Sequence, residues 1–250
     1  MPSIPPWMER LHASVVRYAI PLVFGDRPHP VKASRFNSGS GVAIDAGEGP
    51  FLITAAHVVE AARNRLAEPR THFMVGPVEV SVEDIISERH QIDVATIRLR
   101  DKDLALLEKD NFQIVRPSEW PPVSPSVGDS VVLAGFPAQW RSELSWIEID
   151  HAAEVMRSFV RAVMQDQFVT HLEPEFAVQR MVDVALEPKS AGFEGLSGGP
   201  AFLVRDLPGK LTVPALCGVV KEGGISDLVP GRFVIYYSIL DRIGRDGVIT

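Results

Sequence analysis

The hexapeptide Gly195-Leu196-Ser197-Gly198-Gly199-Pro200 constrains this chain more than any other segment. Glycine takes positive φ without steric cost. Three glycines around one serine, directly ahead of the apolar run 201–204, therefore predict a tight turn that feeds a strand. Such a turn pushes a hydroxyl into solvent and aims neighbouring backbone N–H groups at one point, which is what a nucleophile with an oxyanion hole requires. Alone, a glycine-rich serine turn is ordinarily just a turn, so its chemistry depends on what else the chain supplies.

Two further segments supply it. Residues 51–59 read Phe-Leu-Ile-Thr-Ala-Ala-His-Val-Val, an apolar strand that runs into small residues and then His57. Residues 91–99 place Asp93 at the head of a strand with alternating apolar positions. Singly, His57 reads as a turn residue and Asp93 as a loop residue or cap. Together, the chain order His57, Asp93, Ser197 matches one of the known orders of a Ser-His-Asp triad. A serine hydroxyl is too weakly acidic to attack an amide at neutral pH without a base. An imidazole with a pKa near about 6.5 can take that proton and return it to a leaving amine. A carboxylate on the other ring nitrogen fixes the tautomer and stabilises the imidazolium.

Thr-Ala-Ala-His at 54–57, Asp-Val-Ala at 93–95 and Gly-Leu-Ser-Gly-Gly-Pro at 195–200 resemble the three signatures of trypsin-like serine peptidases. Residues 126–137 are similar to the strand that opens the second barrel of bacterial members, and Leu216-Cys217-Gly218-Val219-Val220 to the strand that borders their cleft. The resemblance spans about residues 37 to 243. It implies an all-β fold of two six-stranded antiparallel β-barrels with the active site between them. It also implies a serine endopeptidase acting on a protein or peptide substrate through His57, Asp93 and Ser197, with the N–H groups of Gly195 and Ser197 as the oxyanion hole. By the same resemblance Ala191, Gly192, Val220, Lys221, Glu222 and Gly223 line the substrate pocket. Ala191 brings no negative charge, so a small or medium apolar residue is expected before the scissile bond.

One position departs from the family pattern. Secreted members carry an aspartate just before the serine, which pairs with an N-terminus freed by cleavage; Leu196 cannot. Activation of that kind is not expected, and packing, substrate or a separate regulatory chain must order the loop 190–195. The alternative reading is a latent or non-catalytic peptidase-fold binding or scaffold protein that needs a partner for that loop.

Composition bounds the rest. A net charge of −7 argues against nucleic acid as the main partner. The single cysteine, Cys217, excludes an intrachain disulfide and fits a reducing compartment. Its apolar strand context predicts a buried, inert thiol. No segment reads as a signal peptide or a membrane span, so a cytoplasmic location and no membrane partner are expected. The histidines show no metal-ligand spacing, and neither metal nor cofactor is expected.

Residues 4–15 have helical spacing behind Pro5-Pro6, predicting an N-terminal helix that caps a barrel. Strands are expected at 39–44, 51–55, 72–75, 78–82, 94–99, 130–136, 181–186, 200–204, 212–220 and 232–237. A short helix is expected after His57 and a short C-terminal helix over 238–243. The proline-rich stretch 120–125 reads as the linker between a domain 1–120, carrying His57 and Asp93, and a domain 126–250, carrying Ser197. An insertion is expected within 138–180, where 144–149 reads as strand and 156–164 as helix or strand.

Overall fold

The apolar runs 42–44 and 51–53 are continuous rather than alternating, and the reason is visible in where each side chain goes. The computed structural model describes residues 6–26, 36–67, 71–138, 141–143, 149–151, 153–172, 179–180, 193–204, 206–207, 210–211, 215–225 and 233–250. In β2 (Phe36–Asp45) and β3 (Pro50–Thr54), Ala43 and Leu52 point into the core of the first sheet. Their neighbours Val42, Ile44, Phe51 and Ile53 point into a second cluster shared with the other half of the chain. Side chains alternate faces along a strand, and here both faces are buried.

The first sheet adds β1 (Ile20–Asp26), β4 (Thr71–Val75), β5 (Val78–Val80), β6 (Ile85–Arg89) and β7 (Val94–Arg98), in the order β5-β4-β1-β2-β3-β7-β6. It has seven strands, and a single 3₁₀ turn, Val82–Asp84, joins its outer strands β5 and β6. The second sheet contains β8 (Ser130–Gly135), β11 (Glu154–Val163), β12 (Gln167–Leu172), β14 (Pro200–Val204), β17 (Ala215–Ile225) and β18 (Phe233–Ser238). These six close on themselves, because β12 pairs with both β18 and β11. β13 (Gln179–Arg180) adds to β11, and two small hairpins, β9 (Arg141–Glu143) with β10 (Ile149–His151) and β15 (Asp206–Leu207) with β16 (Lys210–Leu211), stand apart. The architecture is mostly β and of the chymotrypsin-like double-barrel type, one barrel closed and the other a half-barrel sheet.

Three cores follow. Ile20, Leu22, Phe73 and Ile97 fill the first sheet; Val131, Leu133, Phe168 and Tyr237 fill the second. Val132, Ala134, Phe202 and Val219 meet Val42, Ile44, Phe51 and Ile53 between them. The helix α1 (Pro6–Val16) drops Leu11 and Val15 into that shared cluster and touches β8 and β11. Proline at the first helical position suits it, since that N–H has no intrahelical acceptor.

The structure differs from the expectations in named places. The strands β1 and β6 and the helix α3 (Asp101–Lys109) were not foreseen. Residues 238–243 do not form the expected C-terminal helix: β18 ends at Ser238, and turns follow to an isolated bridge between Ile243 and Ile249. The N–H of Ile239 donates to the Asp166 carbonyl at 3.1 Å, and Trp120 Nε1 donates to the Ile243 carbonyl at 2.6 Å. Those tertiary bonds hold the backbone that a helix would use. Within 138–180, residues 154–163 and 167–172 are strands of the closed barrel. The expected strand 181–186, residues 144–148 and residues 212–214 lie outside the described residues. Among the described residues no helix is long and apolar enough to cross a membrane.

Candidate active site

Helix α2 (Ala56–Leu66) starts two residues after β3 ends, so His57 lies in its first turn. The cap residue Ala55 has no side chain to offer the exposed N–H groups there. Asp93 fills that place from the turn ahead of another strand: its Oδ1 accepts from the His57 backbone N–H at 3.0 Å. Its Oδ2 lies 2.8 Å from His57 Nδ1. One carboxylate thus caps the helix and orients the ring. Asp93 takes φ of 53° just before β7, a left-handed conformation that aspartate tolerates better than most residues. Asp93 is buried, whereas the His57 side chain is about half exposed (50%). The hydrogen bond to Asp93 raises the His57 pKa above the ordinary 6.5; desolvation opposes this, and the charges of Asp93, Glu222 and Glu60 add to it. The Ser238 hydroxyl of β18 donates to the Ile92 carbonyl at 2.5 Å, fastening the Asp93 loop to the other barrel.

The serine turn runs between Phe193 and Pro200, and most of its peptide planes are held at one end. The Glu194 carbonyl accepts from Ala138 N–H at 2.7 Å, and the Leu196 carbonyl from Gly199 N–H at 2.8 Å. In a trans peptide the N–H points opposite to the carbonyl. These two bonds therefore turn the Gly195 and Ser197 N–H groups the other way. Among the described residues neither N–H has an acceptor. Gly195, at φ of 88°, follows Glu194 in a turn closed by Leu196 N–H to the Phe193 carbonyl at 3.1 Å. A Cβ there would stand 2.5 Å from the Phe136 carbonyl oxygen. At Gly198, φ is 84°, and a Cβ would stand 2.1 Å from the Ser40 carbonyl oxygen and 2.3 Å from Thr54 Oγ1. The turn consequently lies against residues 54–55, two positions before His57. The Ser197 hydroxyl makes no hydrogen bond to the His57 ring in this structure; such contacts are often long before substrate binds.

Leu196 is fully buried in the core of the second barrel, its Cδ2 against Gly135. An apolar side chain under the turn stands where the resemblance leads one to expect a charge.

Of the pocket residues named from sequence, Ala191 and Gly192 lie outside the described residues. Val220 turns its side chain into the second barrel's core, while its backbone accepts from Gly198 N–H and donates to the Gly199 carbonyl. Lys221 and Gly223 are half-buried and Glu222 is exposed. The Phe193 ring covers Gly223, where a Cβ would meet it at 2.6 Å. Among the described residues no group of three histidine, cysteine or acidic side chains is placed to hold a metal. Cys217 is free and buried, and burial pushes its thiol pKa up, as an inert residue requires.

Sequence reasoning did not single out Ser40, which touches the serine turn in two places. Its only sequence signal is the alternation Ser38-Gly39-Ser40-Gly41.

No curated protein sequence matches the chain. A model of the trypsin-like peptidase domain matches residues 39–207, more than half of the chain and all three segments that carry His57, Asp93 and Ser197. With that match and the double-barrel architecture, the chain belongs to the trypsin-like peptidase domain family.

Proposed function

We propose that this protein is a serine endopeptidase that cleaves peptide bonds through an acyl-enzyme. The observation that carries the reading is the Asp93 carboxylate, bound at once to the backbone N–H and to Nδ1 of His57. With Nδ1–H donated to Asp93, Nε2 is left as the basic nitrogen.

The steps follow from that tautomer. Ser197 Oγ attacks the scissile carbonyl carbon while its proton passes to His57 Nε2. The carbonyl oxygen becomes an oxyanion and accepts from the N–H groups of Gly195 and Ser197. The C–N bond breaks, and His57 gives its proton to the departing amine. Water then attacks the acyl carbon, giving one proton to His57. The ester bond breaks with the carboxyl product released, and His57 returns the proton to Ser197 Oγ.

The hydrogen-bonded state of residues 193–199 and the buried Leu196 support a turn that is ordered before substrate arrives. They favour an enzyme over a scaffold waiting for a partner. Neither N-terminal cleavage nor a separate regulatory chain enters this reading. Glu222 and Glu60, whose charges act on His57, favour substrates without acidic groups beside the scissile bond.

The test is labelling by a fluorophosphonate probe, which reacts only with an activated serine. The wild-type chain is expected to label, and Ser197→Ala and His57→Ala not to. A wild-type chain that stays unlabelled and cleaves nothing in a peptide library would refute the enzyme reading in favour of the scaffold.

A further inference from the structure

Ser40 belongs to the first sheet, yet its bonds are made largely with the second barrel. The pairing of β2 with β3 stops at Val42 opposite Ile53, so Ser40 lies on a stretch of β2 that has run past its partner. The serine turn occupies that vacant edge: Ser40 N–H donates to the Ser197 carbonyl at 2.8 Å. The Ser40 carbonyl in turn accepts from Thr54 Oγ1 at 2.7 Å.

The side chain does more. Ser40 is fully buried. Its Oγ accepts from Phe136 N–H at 2.9 Å and donates to the Gly195 carbonyl at 2.7 Å. A hydroxyl has one hydrogen, and the Gly195 carbonyl takes it while Phe136 N–H occupies one of the two lone pairs. The peptide it grips, Gly195–Leu196, lies between the two whose N–H groups would hold the oxyanion. Ser40 thus fixes the turn between the two donors, by Oγ at the Gly195 carbonyl, and just after them, by its backbone at the Ser197 carbonyl.

We infer that Ser40 is a positioning residue for the oxyanion hole: its hydroxyl, supplied by the opposite barrel, sets the plane between the two donors. This rests on the peptidase reading above. Alanine would remove the hydroxyl from both the Phe136 N–H and the Gly195 carbonyl, and the Gly195–Leu196 peptide would lose the bond that fixes its plane, at a residue whose φ no side chain restrains. Loss of one oxyanion donor typically costs about 10²–10³ in turnover. A donor displaced rather than deleted should cost roughly 10- to 100-fold.

The experiment compares wild type with Ser40→Ala on a quenched fluorescent peptide that wild type cleaves, and measures inhibition by a peptidyl-alanine boronic acid, whose hydroxyl occupies the oxyanion position. The expected result is kcat lower by about 10- to 100-fold, KM within about twofold, and boronate affinity falling by the same factor as kcat/KM. A thermal melt establishes that the variant is folded. If Ser40→Ala does not fold, Ser40→Cys replaces it, keeping the volume and a weaker donor; the same split with a smaller loss is expected. A folded variant with kcat and boronate affinity both within about twofold of wild type overturns the inference while the peptidase reading stands. A wild-type chain with no fluorophosphonate labelling and no cleavage removes the peptidase reading, and this role with it.

Discussion

Asp93 and His57 meet through both oxygens of a single carboxylate, Oδ1 on the backbone N–H at 3.0 Å and Oδ2 on the ring at 2.8 Å. Stability and chemistry therefore draw on different atoms of one side chain, and substitutions can separate them. Asp93→Asn keeps its one oxygen for the backbone N–H and so sets its NH2, a donor, against Nδ1, which favours the wrong ring tautomer. A loss in kcat of about 10⁴, the size seen for that change in the family's template, is expected with little loss of stability. Asp93→Ala should in addition lose the cap, about 1 kcal/mol. Urea unfolding beside peptide hydrolysis separates the two; equal stability losses for both variants would refute the division.

The acid limb of kcat/KM should have its midpoint above 6.5, because His57 holds its proton more tightly in the fold than free imidazole does. Below that midpoint the ring is charged and cannot act as base. The sign for stability is the reverse: the raised pKa contributes stability in full below 6.5, and the contribution is lost as pH rises through the folded value. Glu222→Gln and Glu60→Gln should each move the midpoint down, and Asp93→Asn should move it further, since Asp93 is the first cause of the shift. Titration of the His57 ring by NMR checks the same ordering; a midpoint at or below 6.5 in wild type would contradict it.

Leu196 should behave as a core residue. Leu196→Ala is expected to cost about 2–5 kcal/mol in urea unfolding. Leu196→Asp should cost more, because the carboxylate would be buried in the apolar core of the second barrel. A Leu196→Asp variant as stable as wild type would mean that the turn sits on a polar floor.

Gly198→Ala should be among the most damaging single changes in the molecule. The new Cβ meets the Ser40 oxygen at 2.1 Å in a conformation with φ of 84°. A loss above about 3 kcal/mol, or no folded protein, is expected. Retained stability and fluorophosphonate labelling would show that the turn can move away from β2.

The three catalytic candidates and the double-barrel type were legible because each sits in a local signal: a strand that ends on small residues, an aspartate before an alternating run, glycines where φ must be positive. Elsewhere the local signal pointed the wrong way. Pro21 reads as a helix stop and hides β1, yet the ladder from β1 to β4 begins only at Leu22, and Pro21 serves as an acceptor for Gly76 N–H at 2.8 Å. β6 carries Glu88 and Arg89 on a half-exposed outer strand, so it shows no apolar pattern. Ile239, Leu240 and Ile243 have helical spacing and are all buried, but tertiary hydrogen bonds from Ile239 N–H and to the Ile243 carbonyl set their backbone. Ser40 was invisible for the same reason: its partners lie 96 and 155 residues away.

The overrun of β2 past β3 has one more consequence. A strand edge with free N–H and carbonyl groups is a template on which other chains stack. Here the serine turn covers it, so the segment that would do the chemistry also shields the first barrel from its own kind. The N-terminal half made alone would present that edge with the Ser40 N–H uncovered, and should gather into aggregates rather than remain a monomer awaiting its other half.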